Sequence, residues 1–253
     1  MMNANTFNKE LVWRWLRKIE LGWRGSPSVT DYAQTNIQLF NQLHLAGYSE
    51  ADLSYICDAY EFGLQIFTGR LRGSGKPFLT HLVGTASILV TLHAPIRVVT
   101  AGLMHAAYLY GEYGTEERGM TDAKREIVQR AIGTETEELI AGYTNLKWNK
   151  CTIPAIRDRV DAMGDWERQI LLIRLANELE DHLDLGVLYC GNADYRREYI
   201  RSSLYMSVEM AQKLGFPSLA ASLEGAFRDC LAAEIPSGVR GRGRNSSFLL
   251  KSA

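Results

Sequence analysis

Two of the five histidines stand where type and spacing suit chemistry. His81 follows the polar loop GRLRGSGKP and opens an apolar helix predicted over about 78–92. His105 lies in AGLMHAAYLY, late in a second helix predicted over about 95–110. In an αα-hairpin the start of one helix meets the end of the next, so the two imidazoles can converge on a metal ion or exchange a proton. The alternative for each is a hydrogen-bonded core histidine. Tyr108, or else Tyr110, would line the same pocket. Further along, Asp181 and Asp184 flank His182 on a helix predicted over 166–188. Residues 181 and 184 share a face while 182 points elsewhere, so no ready-made His/Asp pair results. Glu178, Glu180 and Asp181 also fit a solvated helix face.

The segments that carry these residues read as helix almost throughout. Leu172, Leu175, Leu179 and Leu183 mark the 166–188 helix as buried. Ala33, Ile37, Phe40 and Leu43 form one apolar face of a helix capped by Thr30 or Asp31 and ending at Gly47. Ser49 with Asp52 predicts a capping box for a helix ending near Gly69. Thr121 caps a helix that stops at Gly133, and another covers about 135–145. The stretch 147–165 reads as irregular, and two further helices cover about 194–214 and 217–233. Strand alternation and hairpin turn signals are absent. Near the start, Leu11, Trp15, Ile19 and Trp23 recur every four residues in a helix predicted over about 10–23. Such a helix could dock a partner protein or lie on a membrane surface, and packing on the chain's own core is the favoured alternative.

Composition sets broad limits. The 253 residues carry 28 Lys plus Arg against 29 Asp plus Glu, with 46% apolar and 23% charged residues, which excludes a disordered or low-complexity chain. The four cysteines, at 57, 151, 190 and 230, show no zinc-site or redox spacing and read as reduced thiols of a cytoplasmic protein. No window predicts a membrane-spanning helix. Charge is uneven: residues 1–30 carry +3 and residues 236–253 carry +4, leaving −8 between them. An acidic body argues against an extensive nucleic-acid face. The tail PSGVRGRGRNSSFLLKSA reads as a solvated, flexible end, with contact to RNA through Arg240, Arg242 and Arg244 as the alternative.

The run GRLRGSGKPFLTHLVGTASILVTLHAPIRVVTAGLMHAAYLY resembles the hydrolase domain of the RelA/SpoT proteins, which belongs to the HD superfamily of helical metal-dependent phosphohydrolases. That domain's pattern is approximately G-Q-x-R-x-S-G-E-P-Y-x-x-H-P, then L-L-H-D-x-x-E-D, then K-L-A-D-R-L-H-N. Arg72, Ser74, Gly75, Pro77 and His81 match the first motif, and Leu103 and His105 the second. The segment Ile173 to Asp181 stands at the third, and Met210 to Gly215 resembles a later L-A-H-R-L-G. The resemblance spans about residues 55–216. Its departures fall on the catalytic set. The family holds a divalent metal, commonly manganese, through two His and two Asp. Here the two aspartate positions are Ala106 and Asn177, and the acidic pair that orients water is Leu109 and Tyr110. His81-Leu82-Val83-Gly84-Thr85, with His105 and Tyr108, also resembles a poorly characterised HD-like family with H-L-x-G-T and H-S-x-Y-G-T motifs.

The resemblance implies an all-α, HD-domain-like bundle of eight to ten helices. Residues 1–25 would form a peripheral amphipathic helix, 26–235 the helical domain and 236–253 a basic flexible tail. It implies a degenerate site with a retained pocket for a nucleotide or small anionic metabolite, in a regulatory or ligand-binding protein. Arg72 matches the arginine that stacks on the guanine base in the family, and Ser74, Asn177 and Asp181 complete the expected ligand-binding set. No cofactor is expected. The alternative is an enzyme with a repurposed site, in which His81, His105 and Tyr108 act as acid/base groups. A rebuilt version would hold manganese, iron or zinc with His81, His105, Asp181 and Glu112. A third reading is an interaction protein that acts through its N-terminal Trp/Arg helix. Self-association is left open.

Overall fold

The computed structural model describes residues 32–115, 117, 119–191 and 193–250, and the helix expected at 10–23 lies outside them. The architecture is all-α. In chain order the α-helices are α1 (Asn36–Leu45), α2 (Glu50–Phe67), α3 (Phe78–Thr91), α4 (Ile96–Met104), α5 (Ala107–Tyr110), α6 (Asp122–Ile132) and α7 (Thr134–Asn145). They continue as α8 (Ile153–Arg159), α9 (Asp165–Leu183), α10 (Ala193–Tyr199), α11 (Met206–Lys213) and α12 (Pro217–Ala232).

Local chemistry sets most of the boundaries. Ser49 and Asp52 form the expected capping box on α2, and Thr121 caps α6 through the Lys124 N–H. The cap of α1 is Thr35, which with Gln38 makes a capping box later than the expected Thr30 or Asp31. The helix predicted over 95–110 is divided at His105 and Ala106, and the one over 194–214 at the π-helical turn Ile200–Leu204. The stretch read as irregular contains α8. α9 ends where Leu185 adopts a left-handed conformation (φ 58°).

α3 is the axis of the bundle. Every residue from His81 to Val90 is buried, so it packs on all sides, with α4 and α9 against it. Leu82, Leu89, Val98, Val99, Ile173, Leu175 and Leu179 in this three-helix contact are all fully buried. Burying such side chains contributes roughly 1.5–3 kcal/mol each, enough to hold the charged residues on the same helices in fixed positions.

The expected tail has a defined path over residues 236–250. Phe248–Leu249 (β2) pairs antiparallel with Arg70–Leu71 (β1), with Arg70 opposite Leu249 and Leu71 opposite Phe248. Arg244 N–H donates to Gly73 O (2.8 Å) and Leu250 N–H to Gly69 O (2.9 Å). The Arg244 guanidinium lies 3.7 Å from the centre of the Phe248 ring. Two-residue strands held together by loop contacts leave no periodic signal in the sequence.

Candidate functional site

His81, on the first turn of α3, and His105, at the end of α4, do converge. Their Nε2 atoms are 3.4 Å apart, and both rings are buried. His105 Nδ1 is 2.7 Å from Gly102 O, and His81 Nδ1 is paired with the Glu180 carboxylate. Those partners place a proton on each Nδ1 and turn both Nε2 atoms toward each other. Burial, reinforced by the neighbouring His81, holds the His105 pKa well below the ordinary histidine value.

Glu178, Glu180 and Asp181 do not form a solvated face. Glu178 and Glu180 are each 3% exposed because α9 is enclosed by α3, α7 and α12. Glu180 pairs with His81 and with Lys76, and the Lys76 ammonium also lies 3.1 Å from Asp184. Arg72 pairs with Asp181, and Asn177 Nδ2 donates to Asp181 Oδ2 (2.9 Å). Burial opposes ionisation of Glu180 and Asp181. The surrounding charges outweigh it, chiefly His81 and Lys76 for Glu180 and Arg72 for Asp181, so both carboxyls stay below their usual range.

Next to this network opens a cavity of about 330 Å³, walled by the start of α3, the break at His105 and Ala106, α5, α7, α9 and α10, the loops around Arg72, Trp148 and Cys190, and residues 245–247. His105, Asn177, Asp181, Arg72 and Tyr110 line it, as do Tyr143, Trp148, Arg174 and Arg196. Tyr143 O–H donates to Asn177 Oδ1 (2.5 Å), and Arg174 donates to the Tyr143 oxygen (2.8 Å). Arg174 also pairs with Glu178 and sits 5.3 Å from the Trp148 ring centre. Arg196 has no ion-pair partner among the described residues. Trp148 Nε1 and Arg174 Nε are buried without a hydrogen-bond partner. Three arginines face one carboxylate here, so the lining is cationic and suits an anionic ligand.

Three expected site residues lie elsewhere. Tyr108 points away from the cavity, and its hydroxyl donates to Glu137 Oε1 (2.6 Å), which Arg125 and Gln129 also hold. Glu112 pairs with Arg70 and is not grouped with the histidines. Ser74 stays in the loop below Lys76 and does not line the cavity. The reading of the sequence missed Glu180, Lys76, Tyr143, Arg174 and Arg196. Glu180 had a usable signal: α9 is apolar around its whole circumference (Ile170, Leu171, Leu172, Ile173), so its charges had to be paired inside.

Metal donors can be set against this geometry. Ligand atoms of His81, Glu180 and Asp181 lie within 4.8 Å of one another. Each carboxylate is already matched by a cationic side chain, Lys76 or Arg72. An ion using them would have to displace those partners.

Residues 65–147 match a domain of unknown function, DUF6817, and that segment contains both His81 and His105. The chain is 27% identical over 186 residues to a probable GTP pyrophosphokinase of Mycobacterium leprae, covering 72% of this chain and 22% of that protein. It is 26% identical over 194 residues to the bifunctional (p)ppGpp synthase/hydrolase SpoT of Escherichia coli K12, covering 73% of this chain and 25% of that protein. The match thus spans about a quarter of the length of these relatives. A solved structure described as a metazoan ortholog of SpoT that hydrolyzes ppGpp overlays with a TM-score of 0.49 at 18% identity, covering 72% of this chain and 97% of that one.

Proposed function

We propose that this chain, which is similar to the RelA/SpoT-type proteins and carries its motif residues on an HD-like arrangement of helices, binds a small anionic ligand without a hard divalent metal. The ligand class is a nucleotide or another phosphorylated metabolite, and the role is regulatory or ligand-binding. One observation carries the reading: Arg72, Arg174 and Arg196 face the cavity against the single carboxylate of Asp181. Planar guanidinium groups match phosphate oxygens in pairs, and the cavity's enclosure strengthens such contacts.

The donor chemistry supports the absence of manganese-type catalysis. A hard ion prefers an oxygen-rich, near-octahedral set. Ala106 offers no donor, and the Asn177 amide is held by Tyr143 and turned toward Asp181. Ionised side chains of Arg72 and Lys76 supply the positive charge that a metal would bring.

A second reading rests on the imidazole pair. Metal-bound histidines commonly donate their other N–H to a carboxylate or a carbonyl, the roles Glu180 and Gly102 O have here. The 3.4 Å between the Nε2 atoms is near the edge of about 3.3 Å expected for two nitrogens on a tetrahedral ion with bonds of about 2.0–2.1 Å. A zinc- or iron-type ion on His81, His105 and Asp181 would be an enzyme's site.

Calorimetric titration tests the first reading. The probes are nucleoside mono- and diphosphates, inorganic phosphate and inorganic pyrophosphate, with and without a chelator. The expected result is saturable binding that survives chelation and falls at least tenfold in Arg196→Ala. Binding that vanishes with the chelator would favour the second reading.

A further inference from the structure

The C-terminal segment forms one wall of the cavity, and its attachment is built into the fold. It is fixed on both sides of three residues. On one side Arg244 N–H donates to Gly73 O; on the other, β2 pairs with β1 and Leu250 N–H reaches Gly69 O. Close backbone contact at the first anchor depends on glycine. A Cβ on Gly73 would lie 2.4 Å from Arg244 O, and one on Gly243 would lie 1.6 Å from Tyr189 O. Between the anchors run Asn245, Ser246 and Ser247, all three lining the cavity. Their amide and hydroxyl groups have no hydrogen-bond partner among the described residues. Arg174 of α9 and Arg196 of α10 line the same cavity.

We propose that residues 244–250 are a strap belonging to the ligand site, in which Asn245, Ser246 and Ser247 recognise the neutral, hydroxyl- or base-bearing part of a phosphorylated ligand. This rests on the anion-pocket reading above and divides the labour within it. Arg174 and Arg196 hold the phosphate, while the strap's amide and hydroxyls, which can both donate and accept, read what the phosphate is attached to. The outer side of the strap is exposed and its grip consists of a few backbone hydrogen bonds. Segments held in that way open readily, so the strap lets the ligand enter and closes over it.

The test compares two probes that share an anion, guanosine diphosphate and inorganic pyrophosphate, on the full chain. In the triple variant Asn245→Ala, Ser246→Ala, Ser247→Ala, guanosine diphosphate should bind at least tenfold more weakly. Pyrophosphate affinity should change less than twofold. Amide hydrogen exchange over residues 244–250 should slow on adding guanosine diphosphate to the unaltered chain. Gly73→Ala, which wedges the anchor apart, should reproduce the selective loss. Unchanged guanosine diphosphate binding in the triple variant, with exchange in the strap unaffected, would overturn the strap while leaving the anion pocket intact. Failure of both probes to bind the unaltered chain would remove the anion pocket and the strap with it.

Discussion

Glu180 ties the site together at the scale of single residues. It is buried, it orients His81, and it neutralises Lys76. Removing one partner of a buried charge pair leaves the other uncompensated and costs roughly 3–5 kcal/mol. Glu180→Gln should therefore lower unfolding free energy by about that amount in urea titrations. Glu112→Gln, whose carboxylate is half exposed beside Arg70, should cost under about 1 kcal/mol. Equal small effects would mean that the interior network does not hold the site. His81 and His105 were legible because each stands among apolar residues, His81 in the first turn of α3 and His105 just past the end of α4. Glu180 was hidden by its type: a glutamate between leucines reads as surface unless the helix is seen to be enclosed on every side. Tyr108 misled for the opposite reason. Its place one turn after His105 suggested the pocket, but the break at Ala106 redirects α5, and the phenol serves the buried Glu137 instead.

Elements meet at the crossing of α3 and α9, where Gly84 sets the spacing. A Cβ there would lie 2.8 Å from Glu180 Cγ and 3.0 Å from its Oε1. Gly84→Ala should force Glu180 off His81 and cost about 1–3 kcal/mol despite alanine's better helix propensity. Gly63 in α2 provides the control, since a Cβ there meets only the ends of two side chains at ordinary contact distance, Met104 Sδ at 3.4 Å and Leu79 Cδ2 at 3.6 Å. Gly63→Ala should be neutral or raise stability by up to about 1 kcal/mol. Thermal unfolding of the two variants decides the matter, and similar melting temperatures would contradict the account. Helices were legible through their leucine periodicity and their caps at Ser49 and Thr121. The strap was not, because a Gly/Ser/Arg-rich segment carries no apolar pattern and its place comes from backbone contacts with Gly73.

For the whole molecule, the interior charges predict how stability responds to pH. Burial lowers the His182 pKa to about 4. The unfolded chain therefore takes up that proton first as pH falls below about 6.5. Stability is lost progressively from about pH 6.5 down to about 4, by on the order of 3 kcal/mol for this group. Glu180 and Asp181, held below their usual range, add a further loss as pH falls below about 4. Urea unfolding at pH 7 and pH 4.5 should show the drop, and His182→Gln should reduce it; a variant with an unchanged drop would contradict the assignment.

The account's central claim is that the chain's own cations, and not a resident metal, charge this site. Elemental mass spectrometry of untagged protein purified without chelator tests it most directly. The predicted result is folded protein with far less than one equivalent of manganese, iron or zinc per chain. Near-stoichiometric metal that disappears in the His81→Ala, His105→Ala variant would contradict it and establish the imidazole pair as a metal centre.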